Sequence, residues 1–177
     1  MTGIAYTGVP SAEELRACPG IPTPERRKKG RVAVIECVQE IPCNPCAAAC
    51  PFHAISIPGE ITSLPRLDGE LCTGCGRCVA LCPGLAITLV DETYGEEEGA
   101  VDFPYEFLPL PAEGDTVDAV GRDGRTLCAA RVVSVRRPEP NDGTRVIRIA
   151  VPKRFLDDVK SIRRLARKEE EDVWTTK

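Results

Sequence analysis

One histidine occurs in 177 residues, and aromatic residues make up only 5% of the chain. With His53 the sole imidazole, acid–base catalysis has little to work with. His53 lies in the loop after Cys50-Pro51 and reads as a surface residue or a neighbour of a site, not a general acid or base. Signatures of nucleotide-binding and hydrolytic enzymes are missing as well. There is no Walker loop, no G-x-G-x-x-G after a strand, no G-x-S-x-G and no H-E-x-x-H, so no catalytic residue can be named. A haem-attachment C-x-x-C-H is also absent. No apolar run reaches the length of a membrane span, and the first twenty residues lack a basic start followed by an apolar stretch. A soluble, cytoplasmic protein without a membrane span is expected. The net charge of −4 is modest and both signs are interspersed, which gives no electrostatic case for nucleic acid as a partner.

Against these absences stand ten cysteines. That is too many for small hydrophobes, and in a reducing compartment closely spaced cysteines read as metal ligands before disulfides.

Residues 1–30 read as an extended arm. They hold a short helix in which Ser11 caps and Glu14 closes a capping box, then the basic run Arg26 to Arg31, read as a solvated stretch. From Arg31 a β-branched segment delivers the chain to the first cysteines, and a repeat follows. Cys50-Pro-Phe-His-Ala-Ile-Ser-Ile returns thirty-two residues later as Cys82-Pro-Gly-Leu-Ala-Ile-Thr-Leu, and the same offset places Cys43 on Cys75 and Cys46 on Cys78. Internal duplication accounts for this, each half being strand, cysteine loop, short helix and strand. Residues 93–100 read as an acidic linker. Residues 101–152 read as a small β-rich module with Asp123-Gly124 as a hairpin turn, and Phe155, Val159, Ile162 and Leu165 carry helical spacing within 153–177.

The second cysteine group is Cys72-x2-Cys75-x2-Cys78-x3-Cys82-Pro83, with Gly74 and Gly76 between ligands. Thiolates every third residue can wrap one corner of an iron–sulfur cube, and the glycines let backbone N–H groups approach its sulfides. The first group is Cys37-x5-Cys43-x2-Cys46-x3-Cys50-Pro51. Its longer loop around Ile41-Pro42 can still bring Cys37 to the cube; the alternatives are a three-iron cluster with Cys37 idle, or Glu40 in its place. Cys18 and Cys128 match no motif position and read as structural thiols. Zinc is the rival metal, but zinc ribbons need neither the third tandem cysteine nor the repeated Cys-Pro.

Residues 31–92 thus resemble bacterial two-cluster ferredoxins. The resemblance implies two 4Fe–4S clusters with crossed ligation. One would be held by Cys37, Cys43, Cys46 and Cys82, the other by Cys72, Cys75, Cys78 and Cys50. It implies an α+β fold: a ferredoxin-like duplicated β-α-β cluster domain at 31–92, with the β-rich C-terminal module and a C-terminal helix added. More loosely, the first cysteine group and the C-terminal extension are similar to the small ferredoxin-like subunits of FAD-dependent amine or amino-acid dehydrogenases. The expected function is single-electron relay inside an oxidoreductase complex, as a hetero-oligomer with a redox protein partner such as a flavoprotein dehydrogenase subunit. A free-standing ferredoxin is the alternative, and a structural or sensory iron–sulfur module the third reading.

Overall fold

The computed structural model describes residues 2–139 and 143–166. The arm forms three short helices, α1 (Ile4–Thr7), α2 (Ala12–Ala17) and α3 (Pro24–Arg27). At α2 the Ser11 hydroxyl accepts the Glu14 N–H (3.2 Å) while the Glu14 carboxylate accepts the Ser11 N–H (2.6 Å), the reciprocal box expected from the sequence. At α3 the Thr23 hydroxyl accepts the Arg26 N–H (3.2 Å), ahead of Pro24 at the first helical position.

The arm is not an extended, solvated leader. The Ile35 N–H donates to the Gly20 carbonyl and the Leu67 N–H to that of Pro19, so the arm supplies acceptors to the strands of both repeats. Cys18 is buried beside them. The basic run is likewise bound: Arg26 is 9% exposed, and Arg27 pairs with Glu92 (2.6 Å) and Asp157 (2.5 Å).

The duplication is visible in the backbone. Strand β1 (Val32–Ile35), helix α4 (Pro45–Ala48) and strand β2 (Ile55–Ser56) make the first half; β3 (Arg66–Leu67), α5 (Arg77–Leu81) and β4 (Ile87–Asp91) make the second. Strands pair across halves, antiparallel, with Ile35 opposite Ile87 and Ile55 opposite Leu67, positions that the offset of thirty-two exchanges. His53 and Leu85, related by the same offset, share a positive φ of 51°. His53 is exposed, and its backbone shape belongs to the repeat, not to imidazole chemistry.

Beyond β4 come β5 (Glu98–Tyr105), β6 (Thr116–Val120), β7 (Thr126–Arg136), β8 (Arg145–Pro152) and β9 (Ser161–Ile162). One antiparallel sheet orders them β1-β4-β5-β8-β7-β6-β9, running through both halves of the chain. Composition marks residues 93–100 as linker, yet β5 starts at Glu98: the acidic side chains face solvent, and from Gly99 the strand is buried against β4 and β8. Asp123-Gly124 makes the turn between β6 and β7, with Gly124 at φ 76°.

The expected C-terminal helix is not formed among the described residues. Lys153–Phe155 is a single 3₁₀ turn, and the chain then pairs with β6 as β9. The Lys160 N–H donates to the Val120 carbonyl and the Arg163 N–H to that of Asp118. The open edge of β6 takes these donors, while the bend still buries Val159 and Ile162, so the apolar spacing is satisfied without a helix. Trp174 and the tail from residue 167 lie outside the described residues.

Alternation sorts the sheet into two faces. Val34, Val101, Phe103, Ile147 and Ile149 fill one core; Ala33, Ile35, Ile87, Leu89 and Val146 fill the other together with the cysteine loops. Helix α5 packs over β4, β5 and β8 on that second face.

Glu36, just past β1, latches the two halves. Its carboxylate accepts from Arg122 (2.6 Å) in the β6–β7 turn and from Lys160 (2.8 Å) before β9. Burial opposes its charge, but these two cations hold its pKa below 4.5, the ordinary value. A depressed folded pKa contributes stability above the unfolded value and loses it as pH falls through the folded one. Glu36→Gln is therefore expected to lower stability at pH 7 by roughly 3 kcal/mol, the low end for breaking a buried pair. In denaturant titrations the gap to the unsubstituted protein should begin to narrow as pH falls below 4.5, the ordinary value, and should close only once pH has passed below the depressed pKa of the folded state, where Glu36 itself is protonated.

Candidate metal centres

The second cysteine loop lies flat on the entry to β1. Gly74 and Gly76 sit at φ 67° and 89°, and a Cβ on Gly74 would come 2.8 Å from the Arg31 carbonyl oxygen, so only glycine lets the loop descend this far. In the first group Asn44 and Pro45 start α4 at its first turn, which places Cys46 inward.

Two cavities open between these loops. One is lined by Cys50, Cys72, Cys75 and Cys78, with Phe52 and Leu89 among its walls. The other is lined by Cys37, Cys43, Cys46 and Cys82, with Ile35 and Ile87. Each quartet takes three cysteines from one sequence group and one from the other. The crossing follows from the short helices: Cys46 lies in the first turn of α4 and Cys50 just past its end, Cys78 in the first turn of α5 and Cys82 at its C-cap, each pair serving different cavities. Glu40 is exposed and borders neither cavity. Cys18 also borders neither; its thiol donates to the carbonyls of Ile35 (3.1 Å) and Cys37 (3.5 Å). Cys128 lies on β7, away from both.

Backbone donors point at three of the sulfurs. The Ala54 N–H donates to Cys50 Sγ (3.2 Å) and, at the equivalent repeat position, the Ala86 N–H to Cys82 Sγ (3.4 Å). The Ala33 N–H donates to Cys72 Sγ (3.5 Å). Such bonds favour negative charge on sulfur.

Burial pushes the Cys46 thiol up to about 11, reinforced by Cys82, Cys43 and Cys37, the other members of its own quartet. Cys78 is raised by burial and then by Cys72, Cys75 and Cys50. Four thiolates cannot share an apolar cavity unless cations neutralise them, so metal binding here displaces protons. Among the described residues no three His, Cys, Asp or Glu side chains converge tightly enough to grip a single ion. Quartets of soft sulfur donors around two apolar cavities fit polynuclear iron–sulfur clusters.

The charges behind the second loop are harder to see in the sequence. Arg26 donates to the carbonyls of Gly69 (2.5 Å), Cys72 (2.6 Å), Gly30 (3.0 Å) and Arg31 (3.2 Å). Fully buried Asp102 stands among Arg136 (2.7 Å), Arg31 (3.6 Å) and Arg148 (3.8 Å). Burial pushes its carboxyl up against the pull of these guanidiniums. The one available signal is a lone acid inside the apolar run of β5.

Residues 36–86 match the 4Fe-4S dicluster domain family. Over 47 residues the chain is 55% identical to one component of the Na(+)-translocating ferredoxin:NAD(+) oxidoreductase complex of Acetobacterium woodii, covering 27% of this chain and 14% of that protein. It is 38% identical over 52 residues to the ferredoxin-type protein NapF of Escherichia coli, 28% of this chain and 32% of that one. A longer match, 29% over 132 residues, covers 66% of this chain and 21% of Protein Pixie of Drosophila melanogaster. The chain thus spans less than a third of the length of each of these relatives. No solved structure matches it significantly. No helix among the described residues is long and apolar enough to cross a membrane. Residues 36–86 are a ferredoxin-type 4Fe–4S dicluster domain, and its cofactors are two 4Fe–4S clusters.

Proposed function

We propose that this chain is the electron-transfer subunit of an oxidoreductase complex. It relays single electrons between a partner's flavin or metal centre and an acceptor, and it has no catalytic site of its own. Cys37, Cys43, Cys46 and Cys82 would hold one cluster, Cys50, Cys72, Cys75 and Cys78 the other. The observation that carries the reading is the crossed arrangement of the two quartets around two cavities. Bound there, the clusters supply one-electron chemistry. The chain's own residues do the rest. The segments of α4 and α5 each present one thiol to either site, which ties the two sites together through the protein. Ala33, Ala54 and Ala86 donate to the sulfurs and stabilise added negative charge. Apolar walls keep water from the sulfides. Cys75 is the one exposed member of the quartets, with Phe52 and Leu71 exposed in the same region of the chain, so the second site is where electrons pass to or from a partner. A flavoprotein dehydrogenase subunit is the partner this reading favours, by likeness to small ferredoxin-like subunits, and a cytoplasmic setting suits ten unbridged cysteines.

The alternative is a free-standing ferredoxin. One observation favours it: the strands after residue 98 extend the cluster region's own sheet and need no partner to account for them.

Anaerobic purification from the native host tests both. The protein should be brown, with about eight irons and eight acid-labile sulfides per chain, and should elute as a hetero-oligomer with a flavin-containing chain. Elution as a monomer at full iron content selects the free ferredoxin. One or two zinc ions per chain without visible absorption sinks both readings.

A further inference from the structure

Arg26 is 9% exposed, and its guanidinium donates only to backbone carbonyls: those of Gly69, Gly30, Arg31 and Cys72. Among the described residues no carboxylate pairs with it, although Lys29, Arg27 and Arg31 nearby all have acidic partners. A buried positive charge without a carboxylate is expensive even when hydrogen-bonded, and negative charge facing it would offset that cost. What Arg26 faces is the Cys72 loop, which turns negative when its thiols become thiolates on a cluster.

The same side of the molecule holds a second excess of positive charge. Arg31, Arg136 and Arg148 stand against two carboxylates, Asp91 and Asp102. Arg136 reaches from β7 to the loop itself: its Nη2 lies 3.8 Å from where a Cβ on Gly76 would be. Among the described residues the other site has no such excess. Beside Cys37, the cations Arg122 and Lys160 are matched by Glu36 and Asp158.

We propose that Arg26 is the built-in countercharge of the site formed by Cys50, Cys72, Cys75 and Cys78, and that with Arg136 it makes this site the higher in reduction potential of the two. Positive charge stabilises the more negative, reduced state, so the site it surrounds is reduced first. An electron entering the chain then rests at the end nearest the exposed Cys75. The inference rests on the two quartets being the cluster ligands.

The test is a redox titration of the anaerobic, full-length protein, followed by electron paramagnetic resonance, with iron counted in every sample. Cys75→Ser first marks which of two reduction waves belongs to the second site. That wave is expected to be the higher one. Arg26→Gln should move it to more negative potential and leave the other in place, while Arg26→Lys, which keeps the charge, should hold it close to its original position. Arg136→Gln should move the same wave the same way by less, since Arg136 is a third exposed and paired with Asp102. If Arg26→Gln loses iron, Arg136→Gln decides by the same criterion. With eight irons and two waves present, a marked wave that is the lower one, or that does not move, or that moves together with the other, overturns the inference. One wave with all eight irons present also overturns it, since the two sites would then be equal in potential; fewer irons in the unsubstituted protein overturns the underlying reading instead.

Discussion

Alanine at Cys50 is expected to lower bound iron from about eight per chain to about four and to abolish the cluster signal that Cys75→Ser perturbs, not the one that Cys43→Ala removes. In sequence Cys50 closes the first group, seven residues after Cys43. In space it lines the cavity of Cys72, Cys75 and Cys78. Its backbone setting supports the assignment, because the Ala54 N–H aimed at its sulfur repeats at Ala86 and Cys82, on the other cavity. Cys37→Ala should empty the first site by the same count. Cys18→Ala and Cys128→Ala should keep all eight irons, although Cys18→Ala also removes a buried donor to the Ile35 carbonyl. Loss of the first-group signal in Cys50→Ala would refute the crossed assignment.

The second large effect concerns the C-terminal strands. A chain ending at Glu97 should lose both clusters within minutes in air, where the full-length protein keeps them. Strand β5 covers β4 through Leu89, Val90 and Asp91, and Val146 of β8 belongs to the same core as Ala33, Val79 and the cysteines. Truncation would expose Ile87, Leu89, Val90 and Val79, all now at most 1% exposed. At about 1.5 to 3 kcal/mol for each side chain, the loss approaches the whole stability of a small domain, about 5 to 15 kcal/mol. It would also bare β4 as an apolar sheet edge. Circular dichroism and iron release followed in parallel would show the effect. Should residues 1–97 keep both clusters as long as the full chain does, the strands are not a cover, and docking to a partner becomes their role.

Much of the site was legible because cluster chemistry demands sulfur at fixed spacing, and spacing is local. Cys72, Cys75 and Cys78 are one loop, and Gly74 and Gly76 mark where its backbone must bend the left-handed way. The repeat was legible for the same reason, down to the equivalent positions of His53 and Leu85. The C-terminal helix misled because the spacing of Phe155, Val159, Ile162 and Leu165 records which residues are buried, not how the backbone gets there. An unpaired strand edge at β6 took the hydrogen bonds instead. Glu98 misled in the opposite sense: an acidic, glycine-punctuated stretch looks like linker unless one knows that β4 lies alongside it.

By itself, then, the sequence determined the spacing of the cysteines, the expectation of iron–sulfur clusters that it carries, and the twofold repeat, since each is written in the identity and spacing of neighbouring residues. Which cysteines share a cavity was decided by α4 and α5 crossing between the halves. The union of both halves in one sheet, and the gathering of Arg26, Arg136 and Asp102 behind one loop, were decided by pairings between residues tens of positions apart. Such contacts depend on how strands choose their neighbours, a choice that the whole buried surface makes and that no short stretch of sequence records.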